Sequence, residues 1–491
     1  MNSLDAMPVR RRAKPPPVWA FGLLWAAAGL LVVLLHSEYE WEATAGVLMI
    51  AQAFSGTLVW YRFHALRLAV LPDFLTLVLF NHLIAKTLGL LGVLVNSMND
   101  STLTVAHELA RLGTVAPEYQ FQAELVFLLA IVIFTAIWKV QEGKKLLAMW
   151  AEPPSKAIWA TYAVGLIGYL SLLVTGLGVG LGMIQELLRM FALGAVAVLL
   201  AGTSPYALGR PKALLAILAL MPLFLLALKS GMKAEIGLVA LPILLPVFRR
   251  ITALRVASMA GFLLFVVLFI FPFSQAWREA NWYQRAESQK VDVAEVSSRV
   301  VAMWEQNGLL ETAEVSTARW LSRGSTADSG GLVMQLADRD GSIGPVLIEG
   351  LVTIFVPRFL WPDKPTYTPG AWFTWYLGYA TSPETATTST AMMLPTELYW
   401  MFGLAGVVLG MALLSVIYFN VWRFMLKKSK TSIIFSVAPF AMLGRSGMEE
   451  VHTIYAVSSP IILAVYVLGL DFLQRRLFPR FGRRMNVEEN Q

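Results

Sequence analysis

Apolar residues along this chain come in runs of about twenty, separated by short polar stretches, and a helix of that length crosses the roughly 30 Å hydrocarbon core of a bilayer. Read this way the chain predicts about twelve spans. They lie near 18–35, 43–61, 71–95, 123–138, 158–180, 187–203, 213–229, 235–248, 256–273, 395–422, 432–447 and 452–470. The polar connections alternate in kind. If every span crosses once, Arg62/Arg67, Lys139/Lys144/Lys145, Arg210/Lys212, Arg249/Arg250/Arg255, Lys427/Lys428/Lys430 and the tail Arg475 to Arg484 all fall on one side. The positive-inside rule makes that side cytoplasmic and both termini with it. The other side receives Glu38/Glu40/Glu42, the loop Asn96 to Gln122, the turn Lys229 to Lys233, the long segment Ser274 to Leu394 and the turn around Glu449 to His452.

The long outer segment has helical pieces and no membrane-length run. Val293, Val296, Val300 and Trp304 recur at helical spacing up to Asn307-Gly308, and Leu310, Ala313, Thr317 and Leu321 continue on a second helix. Both fit a position flat on the membrane as a cap. Ser325 to Gly331 reads as a Gly/Ser/Asp loop, and Gly341 to Pro345 as another. Val346 to Trp361 is apolar but carries Glu349 and Pro357, which suits a re-entrant or cap-buried helix better than a span. The expected fold is an all-α integral membrane protein of about twelve transmembrane helices capped by this outer loop. Its parts are an N-terminal bundle (1–273), the loop (274–394), three C-terminal spans (395–470) and a basic tail (471–491).

Composition narrows the class. With 57% hydrophobic and 14% charged residues, the chain is too apolar to hide that surface in a water-soluble core. The net charge of +7 sits in short clusters beside apolar runs, which topology explains without nucleic acid. There is no cysteine, so disulfides, thiolate metal sites and a cysteine nucleophile are excluded. Arg10-Arg11-Arg12 and Lys14 precede the first run with no small-residue cleavage site before His36, the pattern of a signal anchor.

Thr353 to Gly406 carries the densest chemistry. Pro357, Pro362 and Pro365 fix φ and remove donors, so a short rigid path presents Arg358, Asp363 and Lys364. A guanidinium holds phosphate or carboxylate bidentately and the lysine adds a mobile charge; an ion pair with Asp363 is the competing reading. Pro395 suits a first helical turn, which puts Glu397 at a positive dipole end. There it is either a general base that takes the proton of a sugar hydroxyl or a carboxylate settled by the dipole, with Glu349 the alternative base. Lys229-Ser-Gly-Met-Lys233 is a tight turn with two ammonium groups, suited to a lipid-linked diphosphate at the surface or to lysines that snorkel.

Other candidates are set in or beside spans. His82 and Lys86 share one helical face inside a span, where ionisable groups mark a cavity or path or else bond a neighbouring helix. Arg445, Glu449, Glu450 and His452 cluster at the last outer turn and either line the same vestibule or are solvated. Arg278, Trp282, Tyr283 and Arg285 suit stacking on sugar rings, or an interfacial aromatic belt. Metal is not expected: Asp338, Asp340, Ser342 and Glu349 have calcium-loop spacing, but Ile343 stands where Gly is required. Gly176 to Gly182 mimics a dinucleotide fingerprint, yet it ends a span and not a strand.

The chain resembles the bacterial oligosaccharide repeat-unit polymerases, the O-antigen polymerase (Wzy-like) group. The likeness rests on Val356-Pro-Arg-Phe-Leu-Trp-Pro-Asp-Lys-Pro365, on Glu397-Leu-Tyr-Trp-Met-Phe-Gly-Leu-Ala-Gly406 and on Lys229-Ser-Gly-Met-Lys233, with Arg319 and Gly330 fitting a loose Arg-x10-Gly pattern. It departs from the group at Lys233, where arginine is commoner, and in the length of the outer loop. The resemblance implies an inner-membrane enzyme that joins undecaprenyl-diphosphate-linked oligosaccharides at the periplasmic face with no nucleotide sugar, metal or other cofactor, alongside a flippase and a chain-length regulator. Arg358, Lys364, Lys229 and Lys233 would then hold the diphosphate and Glu397 would orient the acceptor hydroxyl. Competing readings are a transporter or flippase of lipid-linked sugars, a polyprenyl-linked sugar glycosyltransferase and an O-antigen ligase. An exosortase-type protease is excluded by the missing cysteine.

Overall fold

The computed structural model describes residues 18–36, 41–65, 74–98, 115–142, 155–175, 178–201, 215–230, 264–280, 293–324, 326–356, 368–386, 390–429, 432–443 and 451–477, with a few isolated positions besides. Every regular element among the described residues is helical. In chain order these are α1 (Val18–Leu35), α2 (Trp41–Ala65), α3 (Phe74–Met98), α4 (Pro117–Gln141), α5 (Ser155–Val174), α6 (Gly178–Ala201), α7 (Met221–Ser230) and α8 (Phe271–Arg278). Then come α9 (Val293–Asn307), α10 (Leu309–Gly324), α11 (Thr326–Asp340), α12 (Leu351–Ile354), α13 (Pro369–Tyr376), α14 (Leu394–Lys428), α15 (Ile433–Leu443) and α16 (Thr453–Leu477).

Six helices among the described residues are long and apolar enough to cross a bilayer: Val18–Leu35, Trp41–Arg62, Phe74–Val93, Pro117–Gln141, Leu394–Lys428 and Thr453–Arg476. Shorter apolar helices lie at Ile158–Val174, Leu215–Leu228 and Val266–Trp277, while the run expected at 235–248 lies almost wholly outside the described residues. The chain is an α-helical, multi-pass membrane protein. Lipid gives helices no hydrophobic reason to associate, so close packing and polar bonds must hold them. Gly29 of α1 meets Gly46 of α2 so closely that a Cβ on Gly29 would stand 2.6 Å from the Gly46 carbonyl oxygen.

α4 is the central post. Pro117 starts it, Glu118 lies in its first turn and Lys139 in its last, each charge complementing the helix dipole. At one end Arg62 of α2, only 1% exposed, donates twice to the Glu142 carboxylate just past α4, at 2.6 and 3.0 Å. Its Nε donates to Thr76 of α3 at 3.1 Å, and Lys139 adds a 2.8 Å bond to Glu142. Burial pushes the Glu142 carboxyl up, but Arg62 and Lys139 outweigh it and leave the pKa below the ordinary value. One turn deeper Phe74 stacks on Tyr418 of α14 at 4.8 Å, and Trp138 meets Phe419 edge-on at 5.2 Å. The end of α2, the start of α3, the end of α4 and the basic end of α14 therefore share one end of the bundle.

The opposite end is covered by the segment from α9 to α13. α10 packs on α3, α9 on α8, and α11 on α4. Gln120 donates to Asp328 at 3.0 Å and the Tyr119 hydroxyl to Asp338 at 2.8 Å. Three expectations change here. Residues 325–331 were expected as a loop, but Gly330 and Gly331 lie within α11 as a notch against α4. A Cβ on Gly330 would come 2.9 Å from the Phe127 ring, and one on Gly331 3.1 Å from the Gln120 backbone nitrogen. The span expected to end at 273 runs through a π-helical stretch, Val266–Ile270, into α8 and continues past Ser274 to Arg278. Gly178, expected to end a span, begins α6. Asp340, in the discounted calcium pattern, is held at a pKa of about 2 by hydrogen bonds from Arg339 and then Tyr376.

Candidate functional site

The expected span 395–422 is not one straight helix. α14 breaks at Gly403 (φ 66°, ψ −161°), a backbone region open essentially to glycine alone, and Met393 before it also has positive φ, at 63°. Residues 394–402 thus form a short helix between two strained joints, folded back on the remainder of α14: a Cβ on Gly406 would stand 2.5 Å from the Leu398 carbonyl oxygen. Pro395 sits in the first turn, as the sequence predicts, and Glu397 with it.

Glu397 is fully buried and both of its carboxylate oxygens are engaged. Oε1 accepts the Thr453 backbone N–H at 3.0 Å, and Oε2 lies 2.8 Å from His452 Nδ1. The His452 carbonyl receives the N–H groups of Tyr455 and Ala456, so His452 is the residue at which α16 begins. Glu397 thereby meets one of the unsatisfied N–H groups of a second helix start from outside that helix. The Glu397 side chain is sealed, whereas the His452 side chain keeps 11% of its surface. With Glu397 ionised, Nδ1 carries a hydrogen toward it, and in the neutral imidazole Nε2 is then the acceptor. Tyr455 stands edge-on to the ring at 6.3 Å.

The break at Gly403 strips the last carbonyls of the short helix of their helical partners, and the cap supplies replacements. Ile343 N–H donates to the Trp400 carbonyl at 3.3 Å and the Ser342 hydroxyl to the Met401 carbonyl at 2.6 Å. Trp400 Nε1 returns a 3.0 Å bond to the Gly341 carbonyl. Around the Trp400 ring stand Tyr376 at 5.1 Å and Trp372 at 6.0 Å, both from α13. The carboxylate and the cap are therefore parts of one packed unit.

A second ionisable pair joins α3 and α4. His82 and Lys86 share the buried face of α3, as expected, and Lys86 Nζ is 2.8 Å from Glu124 of α4 with both side chains fully buried. The ammonium also rests 4.0 Å from the centre of the Phe127 ring. Twelve residues of α3 put Lys86 roughly 18 Å from Phe74, at the level of Phe127, against which Gly330 of α11 packs. Lys86 is thus bonded to a neighbouring helix. Glu124 escaped the sequence reading, although a lone acid at the head of an apolar run is the signal that marks it.

The structure brings Glu397 and His452 together and leaves Asp363 exposed on the surface. Lys229, Arg278 and Arg319 fall on α7, α8 and α10, but their side chains lie outside the described residues. Lys233, Trp282, Tyr283, Arg358, Lys364 and Arg445 lie outside them altogether. Among the described residues no group of three or more His, Asp or Glu side chains is placed to hold a metal ion. Comparison of the chain with protein-family models, with curated proteins and with solved structures finds no match.

Proposed function

We propose that this protein polymerises lipid-diphosphate-linked oligosaccharide repeat units by glycosyl transfer at the capped end of its bundle, and that His452 is the group that accepts the acceptor's proton. The observation that carries this reading is the Glu397–His452 pair: a sealed carboxylate 2.8 Å from the inner nitrogen of an imidazole that keeps an open edge. Glu397 itself, with both oxygens occupied, is poorly placed to meet a sugar hydroxyl, so the role of base passes to its partner. In the proposed step the acceptor oxygen attacks the anomeric carbon and its proton goes to His452 Nε2. The bond from that carbon to the diphosphate oxygen breaks, and the diphosphate leaves with the electron pair. Glu397 holds the ring in the required tautomer and stabilises the imidazolium as it forms. Arg358 and Lys364, with Lys229 and Lys233, are the cations proposed to take up the charge on the leaving group.

On this reading the basic end of the bundle is cytoplasmic, the cap is periplasmic, both termini are cytoplasmic, the membrane is the bacterial inner membrane and the full span count is about twelve. A chain-length regulator and a flippase are the proposed partners. One observation favours a second reading, a transporter of lipid-linked sugars: a helix broken at Gly403 beside a buried charge is how many transporters build a substrate site. A ligase would share the chemistry and differ only in the acceptor. Membranes carrying His452→Gln should lose about 10²–10⁴-fold in elongation rate, the usual worth of a general base. Normal elongation by that variant would overturn the assignment. Deleting the gene should replace long surface polysaccharide by single capped units, and unchanged polysaccharide would overturn the function.

A further inference from the structure

Two large aromatic side chains on the cap, one on α13 and one just past its end, are exposed although that helix is otherwise well packed. α13 buries Phe373 fully and sets Trp372 and Tyr376 against Trp400, yet Trp375 is 39% and Tyr379 is 56% exposed. Their placement is rigid. Gly378 (φ 79°) ends the helix, its N–H donating to the Trp375 carbonyl at 2.8 Å, while the Tyr379 N–H donates to the Thr374 carbonyl at 3.1 Å. This paired closure needs a left-handed residue at position 378 and fixes the backbone of Tyr379 beside the helix end.

Hydroxyls and carboxylates lie on the segments that pack against α13. The turn at Pro383–Thr385 packs on α13, with Thr381 and Thr385 hydroxyls 3.0 Å apart and Ser382 closing a capping box with Thr385. The Ser382 hydroxyl also holds the exposed Glu384 carboxyl below its ordinary pKa. On the other side the Tyr376 hydroxyl donates to Asp340 at 2.7 Å, and Arg339 pairs with both oxygens of that carboxylate, at 2.7 and 2.6 Å. Aromatic faces stack on the C–H faces of sugar rings, and hydroxyls and carboxylates accept bonds from sugar hydroxyls or ammonium groups. Asp340 is neutralised by Arg339, so it is the exposed Glu384 carboxylate that repels an acidic sugar.

We infer that Trp375 and Tyr379, with the 381–385 turn and its Glu384, form a binding surface for the growing glycan, selective for neutral or amino sugars over uronic acids. The inference deepens the proposed function and rests on it for the identity of the glycan's owner. The surface lies on the helix that packs against Trp400, three residues from Glu397. It therefore holds the chain close to the reacting end without being part of it.

The test uses the full chain in lipid nanodiscs and two probes, chitotetraose and tetragalacturonate, followed by saturation-transfer NMR. Chitotetraose should bind and tetragalacturonate should not. Trp375→Ala with Tyr379→Ala should weaken chitotetraose binding at least tenfold and shorten the polymer made in membranes, while Trp375→Phe and Tyr379→Phe keep both. Equal binding of the two probes, or binding untouched by the alanine pair, would overturn the inference. Because the chain has no cysteine, Tyr379→Cys can also carry a single bimane label. Quenching of that label by doxyl lipids would make the rings a membrane belt and sink the glycan surface. Loss of probe binding with normal elongation removes only this surface, whereas probe binding with polysaccharide unchanged by gene deletion removes only the proposed function.

Discussion

Gly403→Ala tests the architecture of the site through the sign of its effect. At φ 66° and ψ −161° the residue lies where a Cβ is disfavoured by local backbone contacts, and among the described residues no atom beyond its own stretch of chain stands within 4 Å of the position that Cβ would take. The cost is therefore conformational alone, about 1–3 kcal/mol. That corresponds to a factor of roughly 5–150 in the folded-to-unfolded ratio. Were 394–428 a continuous helix, the same substitution would stabilise the protein by about 0.8–1.0 kcal/mol, because alanine is the better helix former. Gly406→Ala is the control: its Cβ would stand 2.5 Å from the Leu398 carbonyl oxygen, so it should cost more than Gly403→Ala, through a clash. Thermal and SDS unfolding of the purified variants in one detergent measures both. A Gly403→Ala protein as stable as the parent or more so, with normal elongation, would refute the broken helix and with it the placement of Glu397.

Two further predictions concern the charges that hold the bundle. Lys86→Met or Glu124→Gln alone leaves a buried charge without its partner and should cost about 3–5 kcal/mol in unfolding experiments, while the double variant recovers most of the loss. A double variant no better than either single one would show that the pair is not coupled. Glu142 has a depressed pKa in the folded protein, so its stabilising contribution is complete above the ordinary carboxylate value and disappears as pH falls through the depressed one. Melting temperature should therefore drop on acidification below about pH 4, and Glu142→Gln should flatten that part of the profile at the expense of stability at pH 7.

Membrane-length apolar runs made most long helices legible from the sequence, because run length answers directly to bilayer thickness. The alternation of basic connections also anticipated that Arg62, Lys139 and Lys427 gather at one end. Two features were hidden for a physical reason. Gly330-Gly331 looks like loop punctuation, and only the proximity of α4, set by tertiary packing, turns it into a helix notch. The apolar pattern from Leu398 to Leu414 runs straight through Gly403, so nothing in residue type announces the break. The site was half legible. Glu397 and His452 each stood out as polar groups at predicted helix starts, but 55 positions separate them. Which oxygen faces which nitrogen depends on how α14 and α16 cross.

The broken helix explains why the carboxylate and the cap must be considered together. A straight α14 would satisfy the Trp400 and Met401 carbonyls internally and leave Ser342 and Ile343 without acceptors there. It would also carry Leu398 away from Gly406 and so withdraw Glu397 from the start of α16. The break instead trades helical bonds for bonds to the cap, and the same fold-back delivers the carboxylate to His452 and Thr453. Any shift of the 341–343 strip or of the α13 rings is therefore transmitted to the short helix through three hydrogen bonds and the Trp400 ring. Conversely, on the proposed function a glycan held beside α13 would bear on the element that orients the imidazole. The proposed binding and proton transfer would then be coupled by a helix of nine residues whose two strained joints leave it few positions to occupy.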